Sequence, residues 1–206
     1  MMRYPLWIHA SMESLFLAYN DECDSARVNH IRKQLLATER YRVEGYMPFT
    51  TWSKTKLGCS SDEIQRMIEE GVARASATLI MIGPDAAANT WIRYAIERSY
   101  TLNKPMLALY INALPDERGC PAEADINPLE RFAVLEHGHK VYLDERYRSY
   151  TWNGMEDGQF ELWLELAKCE CTEFRSRSQI SGVHAVTMPA SHTHTDADRT
   201  FNTANL

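Results

Sequence analysis

Three side chains near the start of one predicted helix are placed to touch a ligand. They are Trp91, Tyr94 and the residue at position 95, which is an alanine. The helix, residues 90–102, follows an apolar run that is short enough for a buried strand. Ligands of parallel sheets bind at the carboxyl ends of the strands, near helix N-termini. An aromatic ring at Trp91 can therefore shape a pocket, although it can equally pack against the sheet.

A second group of polar side chains follows the first predicted strand, Ser14–Ala18. Tyr19, Asn20 and Asp21 stand at the carboxyl end of that strand, where a ribose or a phosphate would lie. The same residue types are also common in solvated loops, so both interpretations stay open. Arg93 can contact a phosphate or a neighbouring subunit, or it can simply be solvated.

Alternating strands and helices must position these residues. Strand-length apolar runs occur at Ser14–Ala18, Val43–Phe49, Ala77–Gly83 and Pro105–Ile111, with a shorter edge-strand candidate at Lys140–Leu143. Five helices are predicted. Three have capping signals at their start, namely Asp24 or Ser25, the capping box Ser60-x-x-Glu63, and Asn89 or Thr90. The other two are a short helix at Leu129–Leu135 and an amphipathic helix over 160–167. This alternation predicts an α/β fold with an open parallel sheet of about five strands and helices on both faces.

Length and composition predict one domain with appendages. A chain of 206 residues with 45% hydrophobic residues can bury one sizeable core. We expect a lead-in over 1–13 and a domain over 14–172. From about residue 175 the composition turns to Ser, Thr, His and Asp, which predicts a mobile tail over 173–206.

The net charge and the number of cysteines limit which partners the protein can bind and in which cellular compartment it is expected. A net charge of −6 argues against a nucleic-acid-binding surface. No apolar run approaches the roughly 20 residues of a membrane helix, and the start of the chain has no convincing signal peptide. Five widely spread cysteines do not suggest a disulfide framework. We therefore expect a cytoplasmic protein that binds neither nucleic acid nor membrane.

Two sequence pairs have the partial spacing of metal ligands. These are Cys169-x-Cys171 and His192-x-His194, and neither has a second pair at a convincing distance. We therefore predict no metal site. His137-Gly-His139 is more typical of a turn than of a catalytic pair.

The segment Trp91-Ile92-Arg93-Tyr94-Ala95-Ile96 resembles one found in TIR-like proteins, in particular the ThsB component of the Thoeris anti-phage system. That family typically has Trp-Val-Arg-Tyr-Glu-Ile after its central strand, then a lysine-containing turn and an apolar strand that ends in Ile-Asn. Here Asn103-Lys104-Pro105 and Ile111-Asn112 are similar to those features. The resemblance covers residues 14–168 and depends mainly on 79–112.

The resemblance implies a TIR (flavodoxin-like) fold and an enzyme that cleaves the bond between nicotinamide and ribose in NAD+. NAD+ is then the substrate, and no further cofactor is implied. The product would be an ADP-ribose-derived second messenger of the cyclic ADP-ribose type, made on phage infection, that activates the effector protein ThsA. A phage-derived activator and self-association through TIR surfaces are also implied. Trp52 and Lys54 fall in the loop that borders the pocket and takes part in self-association in TIR proteins. A solvated loop anchored by one tryptophan fits the same residues equally well.

The chain departs from the family pattern at its centre, because the position of the catalytic glutamate is occupied by Ala95. A carboxylate there would stabilise the positive charge that grows on the ribose as nicotinamide leaves. Its loss typically costs about 10²–10³ in rate. Glu97 is about 200° further round the helix and is not an obvious substitute. We expect the chain as it stands to be nearly inactive, through either an engineered replacement or a natural loss.

Two other functions remain as alternatives. A non-catalytic TIR-like assembly or nucleotide-binding module would signal by association, indifferently to the residue at 95. Another kind of flavodoxin-like nucleotide-binding domain is disfavoured, because the loop after the first strand lacks glycine and no phosphoacceptor cluster of response-regulator type is evident.

Overall fold

The computed structural model describes residues 12–44, 60–136, 139–155, 158–181 and 185–187, with side chains as far as Thr172. In chain order the strands and helices are β1 (Glu13–Ala18), α1 (Asp21–Ala37), β2 (Tyr41–Glu44), α2 (Ser61–Arg74), β3 (Ala77–Ile82), α3 (Thr90–Thr101), β4 (Met106–Tyr110), β5 (Phe132–Glu136), β6 (His139–Tyr142), β7 (Ser149–Thr151), α4 (Gln159–Ser181) and β8 (Ala185–Thr187). The predicted Val43–Phe49 strand is confirmed only as far as Glu44, since its remainder lies outside the described residues.

Five of the strands form one parallel sheet in the order β2-β1-β3-β4-β7. All neighbouring pairs are parallel, with Leu15 opposite Ala77 and Thr78 opposite Met106. Every residue of the central strand β3 is buried. This continuous burial is expected of a parallel sheet that is covered on both faces. The predicted α/β fold with an open five-stranded parallel sheet is therefore confirmed.

Helices cover the two faces of this sheet, because successive side chains of a strand point to opposite sides. Leu79 of β3 shares a buried cluster with Val28 of α1 and Phe160 of α4. The next residue, Ile80, shares a different cluster with Ile96 of α3. Helices α1 and α4 thus cover one face, and α2 and α3 cover the other.

The order of the strands creates a crevice at the carboxyl ends of β1 and β3. The chain runs from β1 through α1 to β2 on one side, and then returns through α2 to β3 on the other side. Right-handed crossovers in opposite directions place α1 and α2 on opposite faces. In open α/β sheets, ligands bind outside the carboxyl ends of the strands at such a reversal.

The start of α1 differs from the prediction that Asp24 or Ser25 caps this helix. The helix already begins at Asp21, with Asn20 at the capping position and no side-chain capping bond. Asp24 instead turns inward to Arg27, and the Ser25 hydroxyl donates back to the Asp21 carbonyl oxygen. Tyr19-Asn20 is consequently the whole of the loop between β1 and α1.

The predicted helix at Leu129–Leu135 is wrong beyond its first turn. A single 3-10 turn spans Pro128–Arg131, and β5 follows it at once. β5 pairs antiparallel with β6 on one side and with β8 on the other. The apolar run that ends in Leu135 does not by itself distinguish a helix from a strand, and its pairing partners lie elsewhere in the chain.

The predicted edge strand at Lys140–Leu143 is confirmed in type, as β6, but it belongs to this small antiparallel sheet. The fifth strand of the parallel sheet is instead β7, whose Ser149 lies opposite Ala108 of β4. The last helix, α4, also continues past the predicted domain boundary at residue 172 and ends at Ser181. Within the described part of the chain, no helix has the length and apolar character needed to cross a membrane.

Candidate functional site

A cavity of about 180 Å³ opens at the carboxyl end of β1. It is bounded by the end of β1, the start of α1, one face of α2 and the start of α3. Its lining consists of Phe16, Leu17, Ala18, Tyr19, Asn20, Asp21, Glu22, Ile64, Met67, Ile68, Asn89, Trp91 and Ala95. Five of the eight residues predicted for the site therefore meet in one place: Tyr19, Asn20, Asp21, Trp91 and Ala95.

The side of the cavity formed by β1 and α1 is polar. Asn20 is buried, and its Nδ2 donates to the carbonyl oxygen of Pro84 at 3.4 Å, which ties this edge to the loop after β3. Asp21 Oδ1 accepts a hydrogen bond from Ser25 Oγ at 2.6 Å. Asp21 Oδ2 is buried and has no hydrogen-bond partner among the described residues. One carboxylate oxygen is thus held in place, while the other has no donor in the part of the chain that the structure describes.

The opposite side of the cavity is the first turn of α3. Of the two caps predicted from sequence, Asn89 and Thr90, the structure has Asn89. Asn89 Oδ1 accepts from the backbone N–H groups of Trp91 at 2.9 Å and Ile92 at 3.1 Å. This bond fixes the point where the helix begins. Trp91 is half-buried and packs against the core cluster formed by β1 and α2 while also lining the cavity. Both interpretations of Trp91, packing and pocket wall, therefore fit its position.

Ala95 lies where the cavity meets the core. It is 1% exposed and packs with Phe16, Ala18 and Ile68. With Ile92, Ile96 and Ser99 it forms the buried stripe of α3. The β-carbon of a longer side chain at position 95 would be packed against the core, and the rest of that side chain could extend into the adjacent cavity.

Glu97 does not line the cavity that contains Ala95. It lines a separate cavity on the other side of α3, together with Tyr100, Phe132 and Leu143. The expectation that Glu97 is not an obvious substitute for a glutamate at position 95 therefore agrees with the geometry.

Three of the predicted site residues are not among those that line the cavity. Arg93 is half-buried on α3 outside the lining set. Trp52 and Lys54 lie outside the described residues. Their predicted role in binding remains a prediction.

Tyr94 also points away from the cavity and links α3 to α2. Its hydroxyl contacts the carboxylate of Glu69 and accepts a hydrogen bond from Gln65 Nε2 at 2.9 Å. Burial, with the hydrogen bond to Glu69, raises the pKa of Tyr94. Its role here is to hold together two walls of the cavity.

A buried ion pair beside the cavity was missed by the sequence analysis. Arg27 Nη1 lies 3.2 Å from Asp24 Oδ1, and both side chains are almost completely buried. Arg27 also donates to the carbonyl oxygens of Leu114 at 2.9 Å and Cys120 at 3.2 Å, which anchors the loop after β4. Burial raises the pKa of Asp24 to about 6, against the opposing effect of Arg27. The sequence signal that could have predicted this ion pair is the spacing of Asp24 and Arg27, which are three residues apart on a helix.

The α2 wall of the cavity was also missed as a functional surface. Ile64, Met67 and Ile68 recur at helical spacing on α2, and all three line the cavity. Among the residues that the structure describes, no three or more His, Cys, Asp or Glu side chains come together as a metal site. Of the predicted metal-like pairs, Cys171 is buried near the carbonyl oxygen of Asn103, and Cys169 is exposed.

A family model and a protein of known sequence both match this chain. The family model described as "Thoeris protein ThsB, TIR-like domain" matches residues 16–116, a range that begins in β1 and includes every residue that lines the cavity. A protein of Bacillus cereus (strain MSX-D12), named "Putative cyclic ADP-D-ribose synthase ThsB1", is 26% identical over 151 residues. That match covers 72% of this chain and 73% of the relative.

Proposed function

Because the chain belongs to the ThsB family of TIR-like proteins, we propose that its site acts on NAD+ as an NAD+ nucleosidase and ADP-ribosyl cyclase. The relative's name gives the product class, cyclic ADP-D-ribose. The observation that supports the proposal most directly is the position of Ala95. The residue that stands in the place of the family's glutamate lines a cavity at the carboxyl end of β1, together with Trp91.

The proposed reaction breaks one bond and forms another. The bond between the nicotinamide nitrogen and the ribose breaks, and its electron pair leaves with the ring, so that neutral nicotinamide departs without a general acid. The positive charge moves to the ribose, as in glycoside cleavage. A nitrogen of the substrate's own adenine then bonds to that ribose carbon and a proton is released, which gives cyclic ADP-ribose. Attack by water instead would give ADP-ribose.

A carboxylate at position 95 would face the ribose at the moment when charge develops. The methyl group of Ala95 offers neither charge nor a hydrogen-bond acceptor. We therefore propose that the chain as it stands binds NAD+ and turns it over about 10²–10³ times more slowly than a form with glutamate at this position.

The signal and its partners are part of the same proposal. The product would act as a second messenger in antiviral defence in the cytoplasm and would activate the effector ThsA. A phage-derived cue would start the reaction, and self-association through TIR surfaces would complete the site. The resemblance and the relative's name support this proposal.

The test is a mass-spectrometric assay of NAD+ with this chain, Ala95→Glu and Ala95→Gln. Each protein is assayed with and without lysate from phage-infected cells. We expect nicotinamide and a cyclic ADP-ribose-type product from the glutamate form, and little from the glutamine form, which has the same size without the charge. If the correctly folded Ala95→Glu protein gives no product with or without this lysate, the enzymatic proposal fails.

A second candidate function, a non-catalytic TIR-like assembly or nucleotide-binding module, is favoured by one observation. The position expected to supply the catalytic carboxylate is occupied by a buried methyl group, with Ala95 1% exposed. Such a module would self-associate or bind nucleotide to the same extent with alanine or glutamate at position 95. Sedimentation of both forms, with and without NAD+, distinguishes this function from the first.

A further inference from the structure

We propose that the loop after β4, residues 112–127, is a brace that fixes the distance between two walls of the cavity, with Arg27 and Asp125 as its positioning residues. One wall is the start of α1, and the other is the start of α3. The effect on the reaction rests on the proposed function. The brace itself is a property of the chain as it stands, with Ala95.

Arg27 joins the loop to the start of α1. Its Nε donates to the carbonyl oxygen of Leu114 at 2.9 Å, and its Nη2 donates to that of Cys120 at 3.2 Å. Its Nη1 donates within α1, to the carbonyl oxygen of Cys23 at 3.0 Å and to Asp24 Oδ1 at 3.2 Å. Arg27 is buried, so water competes little for these bonds. One guanidinium therefore holds the loop and the first turn of α1 together.

Asp125 joins the loop to the segment that leads into α3. Its Oδ2 accepts a hydrogen bond from the backbone N–H of Ala87 at 2.9 Å, and its Oδ1 accepts from the N–H of Ile126 at 2.7 Å. Ala87 is buried and stands two residues before Asn89, which caps α3 and lines the cavity. Hydrogen bonds to a carboxylate are roughly twice as strong as those between neutral groups. Asp125 thus fixes the approach to the second wall.

Hydrogen bonds within the loop allow it to transmit a displacement from one anchor to the other. Asp116 Oδ1 accepts from the backbone N–H groups of Arg118 at 2.8 Å and Cys120 at 2.9 Å. Further along, Asn112 Nδ2 donates to the carbonyl oxygen of Ala122 at 3.2 Å, and the Ala122 N–H donates back to the Asn112 carbonyl oxygen at 2.8 Å. A loop that is tied in this way resists stretching between its two anchors.

The brace adds to a direct contact between the walls that is weak. Asn20 Nδ2 donates to the carbonyl oxygen of Pro84 at 3.4 Å, which is longer than an ordinary hydrogen bond. The described residues that line the cavity include none from 112–127, so the loop acts through the walls. A misplacement of about 1 Å between reacting groups can cost about 10²-fold in rate. The distance between the walls therefore matters for a substrate that contacts both.

The first test is hydrogen exchange on the full chain, measured at single backbone N–H groups by NMR. Asp125→Ala removes the anchor at α3, and we expect about tenfold faster exchange at the Asp24 N–H, in the opposite wall. Arg27→Lys weakens the anchor at α1, and we expect about tenfold faster exchange at the Ile92 N–H, which the α3 cap binds. Each substitution should thus loosen the wall that it does not touch.

Matched controls come from the same loop. Glu123→Ala and Arg118→Lys change exposed residues and should leave both exchange rates unchanged. The Ala75 N–H, bound to the Gly71 carbonyl oxygen at the far end of α2, is the internal reference. Its exchange reports a general loss of stability, which is subtracted. If Arg27→Lys does not fold, Asp125→Ala and Glu123→Ala still decide the test.

The second test measures kcat and KM for NAD+ in the Ala95→Glu background, at a temperature where every variant is folded. Asp125→Ala and Arg27→Lys should each lower kcat/KM about tenfold. Because the two anchors act in series, the double variant should be no slower than either single one, whereas their effects on the free energy of unfolding should add. Asp125→Asn keeps an acceptor oxygen and should restore most of the lost rate.

The two tests separate the brace from the proposed function. Faster exchange only in the wall whose own anchor was changed overturns the inference, as do unchanged rates or losses of rate that multiply in the double variant. These outcomes leave the proposed function standing. If Ala95→Glu with an intact loop forms no product, the proposed function fails, and the exchange measurement still decides whether the loop is a brace.

Discussion

The carboxylate of Asp24 lies directly against the α-carbon of Gly83. A β-carbon at Gly83 would come under 3.0 Å from both carboxylate oxygens of Asp24. The contact joins the first turn of α1 to the residue after β3, so it lies between the two strand ends that border the crevice. A glycine is required there by close approach, because the residue opposite is a buried ion-pair member held by Arg27.

Gly83→Ala should destabilise the fold by about 1–3 kcal/mol, the usual cost of overpacking. The new methyl group would displace the Asp24 carboxylate from Arg27. Urea denaturation measures the change in the free energy of unfolding. In an Asp24→Ala background no carboxylate remains to be displaced, so the added cost of Gly83→Ala should be smaller there. Equal costs in both backgrounds would contradict the predicted clash.

Asp24 should make the stability depend on pH in the direction opposite to that of most carboxyl groups. Burial raises its pKa in the folded protein to about 6, above the ordinary value of 3.8. The native state therefore holds the proton more tightly than the unfolded state. The favourable contribution of the protonated form is present below about pH 4 and is lost as the pH rises to about 6.

The measurement compares this chain with Asp24→Asn by urea denaturation between pH 4 and pH 7.5. The stability of this chain relative to the variant should fall by about 1–3 kcal/mol as the pH rises, and should level off above about pH 7. Subtracting the stability of the asparagine variant removes the contribution of all other titrating groups, since both proteins contain them. A difference that stays constant with pH would show that Asp24 does not titrate in this range.

Arg27→Lys should be strongly destabilising although it keeps the charge. The guanidinium contacts Asp24 and reaches two carbonyl oxygens of the loop after β4, and an ammonium group cannot reproduce that fork of donors. We expect a loss of about 2–4 kcal/mol, and faster proteolysis in the loop between residues 113 and 122. Arg66→Lys, at an exposed position of α2, is the control and should have little effect. Similar protease patterns for the two variants would refute the anchoring role.

Ser60→Ala should weaken α2, which forms one wall of the cavity. Ser60 Oγ accepts from the backbone N–H of Glu63 at 3.3 Å, and the Glu63 carboxylate accepts from the Ser60 N–H at 2.9 Å. Loss of such a cap costs about 1 kcal/mol. Thermal denaturation should show a lower Tm for Ser60→Ala than for Ser61→Ala, which changes the same residue type one position into the helix. The same Tm for both variants would mean that the capping box of Ser60 and Glu63 does not stabilise the protein.

Much of the fold was predictable because its signals are local. The caps Asn89 and Ser60 follow from neighbouring residues, and the buried run 77–82 has the continuous apolar pattern of a central parallel strand. The meeting of Tyr19, Asn20 and Asp21 with Trp91 and Ala95 also followed from sequence. Parallel strands bring their carboxyl ends to one edge of the sheet, so the segments that follow β1 and β3 both contribute to the same site.

Tertiary structure alone decided the features that depend on distant partners. β7 has only three residues and becomes a strand through its pairing with β4, and β5 is a strand because two other segments pair with it. Asp24 is drawn inward by Arg27 and fits there only because residue 83 is a glycine 59 positions away in the chain. The sequence by itself determined which edge of the sheet holds the site, since local periodicity and capping fix each element. Which side chains line the cavity was decided in three dimensions, because it depends on how α2 and the starts of α1 and α3 pack around the end of β1.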